Sequence, residues 1–196
     1  MSDVSRRKLL EGIALSLGAG TLSLEAAQHV HQIAADEKAA SGSYVPKGLN
    51  PHEFKTLQKL ADFIVPEDSH SHGAVAAGAA DWIDLMASEN PKLLAIYTGG
   101  IAWLDNFVQR RYSTDFLTAT REQQIAVLDL IAYRKNESAE LGPGIKFFEW
   151  TRKMVVDAYY TSPIGIKDLG YMGNTGEAKF VVPQEAIDYA LKRSPV

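Results

Sequence analysis

Cysteine is absent from this chain. That excludes disulfides, cysteine-ligated iron–sulfur clusters, covalent c-type haem attachment through Cys-x-x-Cys-His, and thiol catalysis. It also leaves the fold indifferent to redox compartment, so an oxidising periplasm is permitted. No Gly-x-Gly-x-x-Gly loop follows an extended run, which removes the usual cradle for a dinucleotide. Alternating apolar and polar residues never persist over a useful length, so no sheet is expected. Positive charge is also scarce: the formal net charge is -4, against the basic face that a nucleic-acid partner requires. The longest weakly polar run, Ile13 to Leu24, is interrupted by Ser16, Gly18, Gly20, Thr21 and Ser23. It falls short of the about 20 apolar residues of a membrane-spanning helix.

What remains is an ordinary globular composition, 196 residues with 46% hydrophobic and 22% charged. One domain with a proper core is the natural expectation. Residues 1–40 read as a twin-arginine export signal or N-terminal helix: Ser5-Arg6-Arg7-Lys8-Leu9-Leu10 places Arg6 and Arg7 ahead of the apolar run. Glu11 stands where such signals often carry lysine, and Ala26, Ala27, Ala34 and Ala35 only approximate a cleavage site, so an uncleaved anchor stays open. Residues 41–48 read as a tether, and 49–196 as the helical domain.

Helix starts are written clearly. Asn50-Pro51-His52-Glu53 and Asn90-Pro91 place a capping side chain before a proline, and Thr120-Arg121-Glu122-Gln123 is a capping box. Apolar residues then recur at three- and four-residue spacing: Phe54, Leu57, Leu60, Ala61 and Ile64; Leu94, Tyr97, Ile101, Leu104 and Val108; Ile125, Leu128 and Ile131. Ala74 to Ser88 forms a further alanine-rich helix. Gly99-Gly100 marks a kink or a close helix approach, and Gly142-Pro143-Gly144 reads as a stop. From near Ile145 a helix with Phe147, Phe148, Thr151, Met154, Val155 and Ala158 on one face runs to Pro163. Pro183-Gln184-Glu185 opens a last helix. The fold class is all-α: a single domain of five or six helices with an irregular, glycine- and aromatic-rich C-terminal extension.

Two features tempt a catalytic reading. Glu67-Asp68-Ser69-His70-Ser71-His72 gathers imidazoles and carboxylates of types that suit zinc, but adjacent loop residues lack the usual ligand spacing, and His29, His31 and His52 lie far upstream. Asp81 with Asp84, and Glu137 with Glu140, are carboxylates three apart on expected helices. Such pairs do acid–base work only when burial raises one pKa, and surface solvation is commoner. No residue is therefore assigned a catalytic, cofactor or metal role.

The most distinctive stretch is Tyr159-Tyr160-Thr161-Ser162-Pro163-Ile164-Gly165-Ile166-Lys167-Asp168-Leu169-Gly170-Tyr171, continuing through Met172-Gly173-Asn174. It is too apolar for a solvated linker, which would be rich in serine, glycine and glutamate. Tyr160, Pro163, Ile164, Ile166, Leu169, Tyr171 and Met172 are the candidate partner interface, with folding back onto the body as the competing role.

This stretch, with Phe54 to Glu67 and the paired arginines, resembles the gluconate 2-dehydrogenase subunit 3 family over roughly residues 48–175. The resemblance implies a helical subunit without a cofactor of its own, accompanying a large FAD-bearing subunit of the glucose–methanol–choline type. It further implies a periplasmic or membrane-associated complex, a cytochrome c subunit as a further partner, and the twin-arginine machinery as the export route. The alternatives are a stand-alone exported metal enzyme built on His70 and His72, or an exported binding protein.

Overall fold

The computed structural model describes residues 23–171 and 182–193, and these are helical without a strand. Helix α1 spans Leu24–Ser41, α2 Pro51–Ile64, α3 Ala79–Ser88 and α4 Pro91–Tyr112. Helix α5 spans Arg121–Ile131, α6 Gly142–Thr161, α7 Pro163–Asp168 and α8 Gln184–Arg193, with a single 3-10 turn at Arg134–Asn136. Among the described residues no helix is long and apolar enough to cross a membrane. Arg6 and Arg7 lie outside the described residues.

The three caps read from sequence are formed. Asn50 accepts from the Glu53 amide at 2.9 Å while Glu53 bonds back to the Asn50 amide at 2.8 Å. Thr120 and Gln123 form the same reciprocal pair, and Asn90 accepts from the amides of Lys92 and Leu93. Each cap supplies acceptors to amides that a helix start leaves without partners.

Helix α3 is the inner element: Ala79, Ala80, Trp82 to Met86, and Ala87 are all buried. A helix apolar nearly all round must be enclosed by others, and α1, α2, α4 and α6 pack against it. Helix α6 presents Ile145, Phe147, Phe148, Thr151, Met154, Val155, Ala158 and Tyr159 to the interior and touches α1 to α5 and α7. Burying a leucine or phenylalanine of this kind contributes about 1.5–3 kcal/mol.

Helices α4 and α6 interlock through glycine. A Cβ at Gly100 would collide with the Phe147 ring, and one at Gly144 with the Trp103 indole. The Gly99-Gly100 pair therefore serves close approach at Gly100, within one continuous helix.

Several expectations are corrected. Gly142-Pro143-Gly144 opens α6 rather than stopping α5, because proline is tolerated in a first turn whose amides have no helical partner anyway. Glu137 follows the 3-10 turn and Glu140 lies in the turn before α6, so they are not a helical pair. Ile125 is 41% exposed, and the adjacent Gln124 is buried instead, its amide donating to the Phe116 carbonyl at 2.7 Å. Residues 41–48, read as a tether, are held against the body. Tyr44 stacks on Phe54, and the hydroxyl of Tyr44 with the amides of Lys47, Gly48 and Leu49 all donate to the buried Asp84 carboxylate.

Candidate functional site

At the end of α6 the chain turns on Ser162, which is fully buried. Its Oγ donates to the Tyr159 carbonyl at 2.6 Å and accepts from the Gly165 amide at 3.0 Å, which makes it the N-cap of α7. Pro163 occupies the first helical position, where its missing amide costs nothing. Gly165 must be glycine because a Cβ there would strike the Tyr159 carbonyl oxygen. The expected irregular loop is thus a short helix up to Asp168, closed by Gly170 at φ 62. It was missed because six residues are too few to show a period, although Ser162-Pro163 repeats the device of Asn50-Pro51 and Asn90-Pro91.

The turn is anchored from beneath. The Tyr159 hydroxyl donates to Asp168 at 3.1 Å and lies 2.9 Å from the Ser71 hydroxyl, tying α6, α7 and the loop after α2 together. Burial raises the pKa of the Tyr159 hydroxyl above its ordinary value, with the Ser71 hydrogen bond opposing the shift and Asp168 reinforcing it. In that loop Oδ1 of Asp68 accepts from the amides of His70 and Ser71, closing a local turn. His72 pairs with Glu67 at 3.2 Å. Among the described residues no group of three or more His, Asp or Glu side chains could hold a metal ion.

The candidate interface residues divide by exposure. Tyr159 and Ser162, which are not among them, are buried and hold the turn from inside. Leu169 is 60% exposed, Tyr171 46% and Tyr160 39%, and Pro163 is also exposed, while Ile164 and Ile166 are half-buried. Met172 lies outside the described residues. Of these side chains, Ile164 borders two grooves, and Pro163 and Ile166 border one of them. One, about 510 Å³, is polar and includes Glu67, His70, Lys167 and Asp168. The other, about 380 Å³, runs between α1 and α7, with Gln32, Ala35, Ala76, Ile164 and Ile166 among its walls and Asp81 at its edge.

Two titratable groups of the second groove carry opposed shifts. His31 donates through Nε2 to the Ala158 carbonyl at 2.8 Å, and burial lowers its pKa to about 4. Burial raises Asp81 to about 6, with Lys38 opposing and Asp84 reinforcing the shift. Between pH 6.5 and 4 the unfolded chain takes up a proton at histidine that folded His31 refuses, so acid removes stability there. Between pH 6 and 3.8 folded Asp81 binds a proton that the unfolded chain releases, so acid adds stability. The two contributions oppose each other. Asp81→Asn is therefore expected to melt higher than the parent at pH 7 and to lose several degrees towards pH 4, relative to the parent's change. Thermal unfolding across pH 4–7 checks this; parallel profiles for parent and variant would remove the offset.

Among the described residues the site is thus a helical body whose buried turn at Ser162 carries an exposed apolar rim at Leu169 and Tyr171. Residues 51–176 match the family model for gluconate 2-dehydrogenase subunit 3, and the chain belongs to that family. It is thereby placed among the subunits of a dehydrogenase complex. Comparison with curated proteins and with solved structures yields no match.

Proposed function

We propose that this chain is the non-catalytic small subunit of a periplasmic, FAD-dependent sugar or sugar-acid dehydrogenase of the glucose–methanol–choline type. The observation that carries the reading is the family match, which takes in the exposed Leu169 and Tyr171. Aromatic and aliphatic anchors of this kind dominate binding energy once desolvated in a partner's pocket. The partner holds the FAD and the substrate pocket, and a cytochrome c subunit completes the electron path. A flavoprotein folds around its cofactor before export, so it needs a route that carries folded proteins. A small subunit bearing Arg6-Arg7 supplies that route and stabilises the large subunit on the way.

Co-expression with the dehydrogenase large subunit and purification through a tag on this chain tests the assembly. A yellow, FAD-bearing complex with sugar-dependent dye reduction is expected, and recovery of this chain without flavin would sink the proposal. Replacing both Arg6 and Arg7 by lysine is expected to abolish periplasmic dehydrogenase activity and leave both subunits in the cytoplasm. Undiminished periplasmic activity, with a large subunit lacking its own signal, would remove the export role.

A further inference from the structure

Helix α1 lies wholly N-terminal to the family match, within the stretch that reads as an export signal. It is nevertheless built into the body. Ser23 caps its start, accepting from the Ala26 amide, and Gly42 ends it in the left-handed conformation. Ala27 and Val30 are fully buried, and Ile33 and Ala34 nearly so. The Trp82 indole NH donates to the Ala27 carbonyl at 3.1 Å, and His31 donates to the last turn of α6. These contacts join α1 to the inner helix α3 and to α6, the two elements on which the core depends.

We infer that any N-terminal processing of this chain ends before Ser23, so that α1 is a permanent part of the mature protein. The inference rests on the export reading only in supposing that a signal peptidase acts. Such an enzyme adds water across one peptide bond, the hydroxyl going to the carbonyl carbon and the proton to the leaving amine. To do so it must hold the backbone extended, with small side chains in alternate pockets. The Ala26-Ala27 and Ala34-Ala35 steps offer small side chains, but both lie within helix α1, and the Ala27 amide is bonded to the Ser23 carbonyl at 3.0 Å. The twin-arginine route delivers a chain that has already folded. Cutting at either pair would then require α1 to leave the core first, an opening that deeply packed segments make rarely. Cleavage after Ala35 would also strip Ala27, Val30, Ile33 and Ala34 from the core and remove most of one wall of the α1–α7 groove. The scissile bond therefore lies at or before the Leu22–Ser23 step, or no bond is cut.

The test is the intact mass of the full chain recovered from the periplasm of an expressing bacterium, with a tag at the C-terminus. An N-terminus at Ser23 or earlier is expected, uncut chain included. A mature chain beginning at Gln28 or Asp36 overturns the inference. If the protein stays in the cytoplasm, the export reading fails and a second arm decides the fate of α1. Chains starting at Ser23 and at Asp36 are compared with the full chain by thermal unfolding, alongside Val30→Asp in the full chain. The Ser23 start is expected to melt within about 2 °C of the full chain, and the Asp36 start and Val30→Asp to lose about 10 °C or fail to fold. An Asp36 start as stable as the Ser23 start overturns the inference whatever the location.

Discussion

Asp84→Ala is expected to lower the stability of the isolated chain by about 3–5 kcal/mol, the range found when one partner of a buried charged contact is removed. Asp84 is fully buried on α3, and its two oxygens accept four hydrogen bonds. Oδ2 takes the Tyr44 hydroxyl at 2.9 Å and the Lys47 amide at 2.7 Å, while Oδ1 takes the amides of Gly48 at 3.1 Å and Leu49 at 2.7 Å. Burial, with Asp84 reinforcing it, holds Tyr44 firmly protonated, so its hydroxyl remains a donor. Alanine would take the acceptor from all four donors, of which only the Leu49 amide is fully buried and the other three are within reach of water, so the loss stays below the sum of four stranded donors at about 1–3 kcal/mol each. Even so, it is a large part of the about 5–15 kcal/mol that stabilises a typical domain. Asp84→Asn keeps one oxygen but turns an amide NH2 towards two of the donors, so an intermediate loss is expected. Urea titration measures both variants. An Asp84→Ala midpoint equal to the parent's would show that residues 44–49 do not depend on this carboxylate.

That residue also marks where reading the sequence ran out. Asp81 and Asp84 are visible as carboxylates three apart, and helical spacing places them near one another. Which one is solvated depends on the path of residues 44–49, and no local pattern encodes that path. Helix starts were legible because a cap and its proline are neighbours in sequence, as at Asn50-Pro51. Gly142-Pro143-Gly144 was misread for the same local reason: the tripeptide breaks a preceding helix and can begin the next one equally well. Helix α7 was hidden by its length, although Ser162-Pro163 announces it.

The candidate site divides in the same way. The apolar character of residues 160–171 was legible, and so was its likeness to a subunit family. What the sequence could not separate was clasp from rim. The separation comes from Tyr159, whose hydroxyl reaches Ser71 across 88 positions of sequence, and from Gly165, whose missing Cβ lets α7 fold against the end of α6. Contacts of that range have no periodicity to betray them. The His70–His72 loop shows the converse case: residues adjacent in sequence bond locally, Asp68 Oδ1 to the amides of His70 and Ser71 and His72 to Glu67.

The exposed rim yields the second large effect, on assembly rather than folding. Leu169→Ala and Tyr171→Ala are each expected to weaken binding of the dehydrogenase large subunit by roughly 2 kcal/mol, the cost typical of truncating an interface anchor. Both side chains stand in water on the isolated chain, so neither replacement opens a cavity, and surface changes of this kind usually leave stability within about 0.5 kcal/mol. Tyr160 is a weaker choice, because its ring packs edge-on against Tyr159 at 5.0 Å and its loss would disturb the clasp. Tyr159→Phe supplies the contrast. It keeps the buried ring but removes the hydroxyl that links Ser71 to Asp168, so it is expected to lower thermal stability and to affect binding only through the loosened turn. Titration of each purified variant against the large subunit, paired with its melting curve, separates the two roles. A roughly 30-fold loss of affinity at unchanged melting temperature is expected for Leu169→Ala and Tyr171→Ala. Should both variants bind like the parent, the rim is not where the large subunit docks. Should either instead melt well below the parent while its folded fraction binds normally, the exposed side chains serve the fold and the interface lies elsewhere on the subunit.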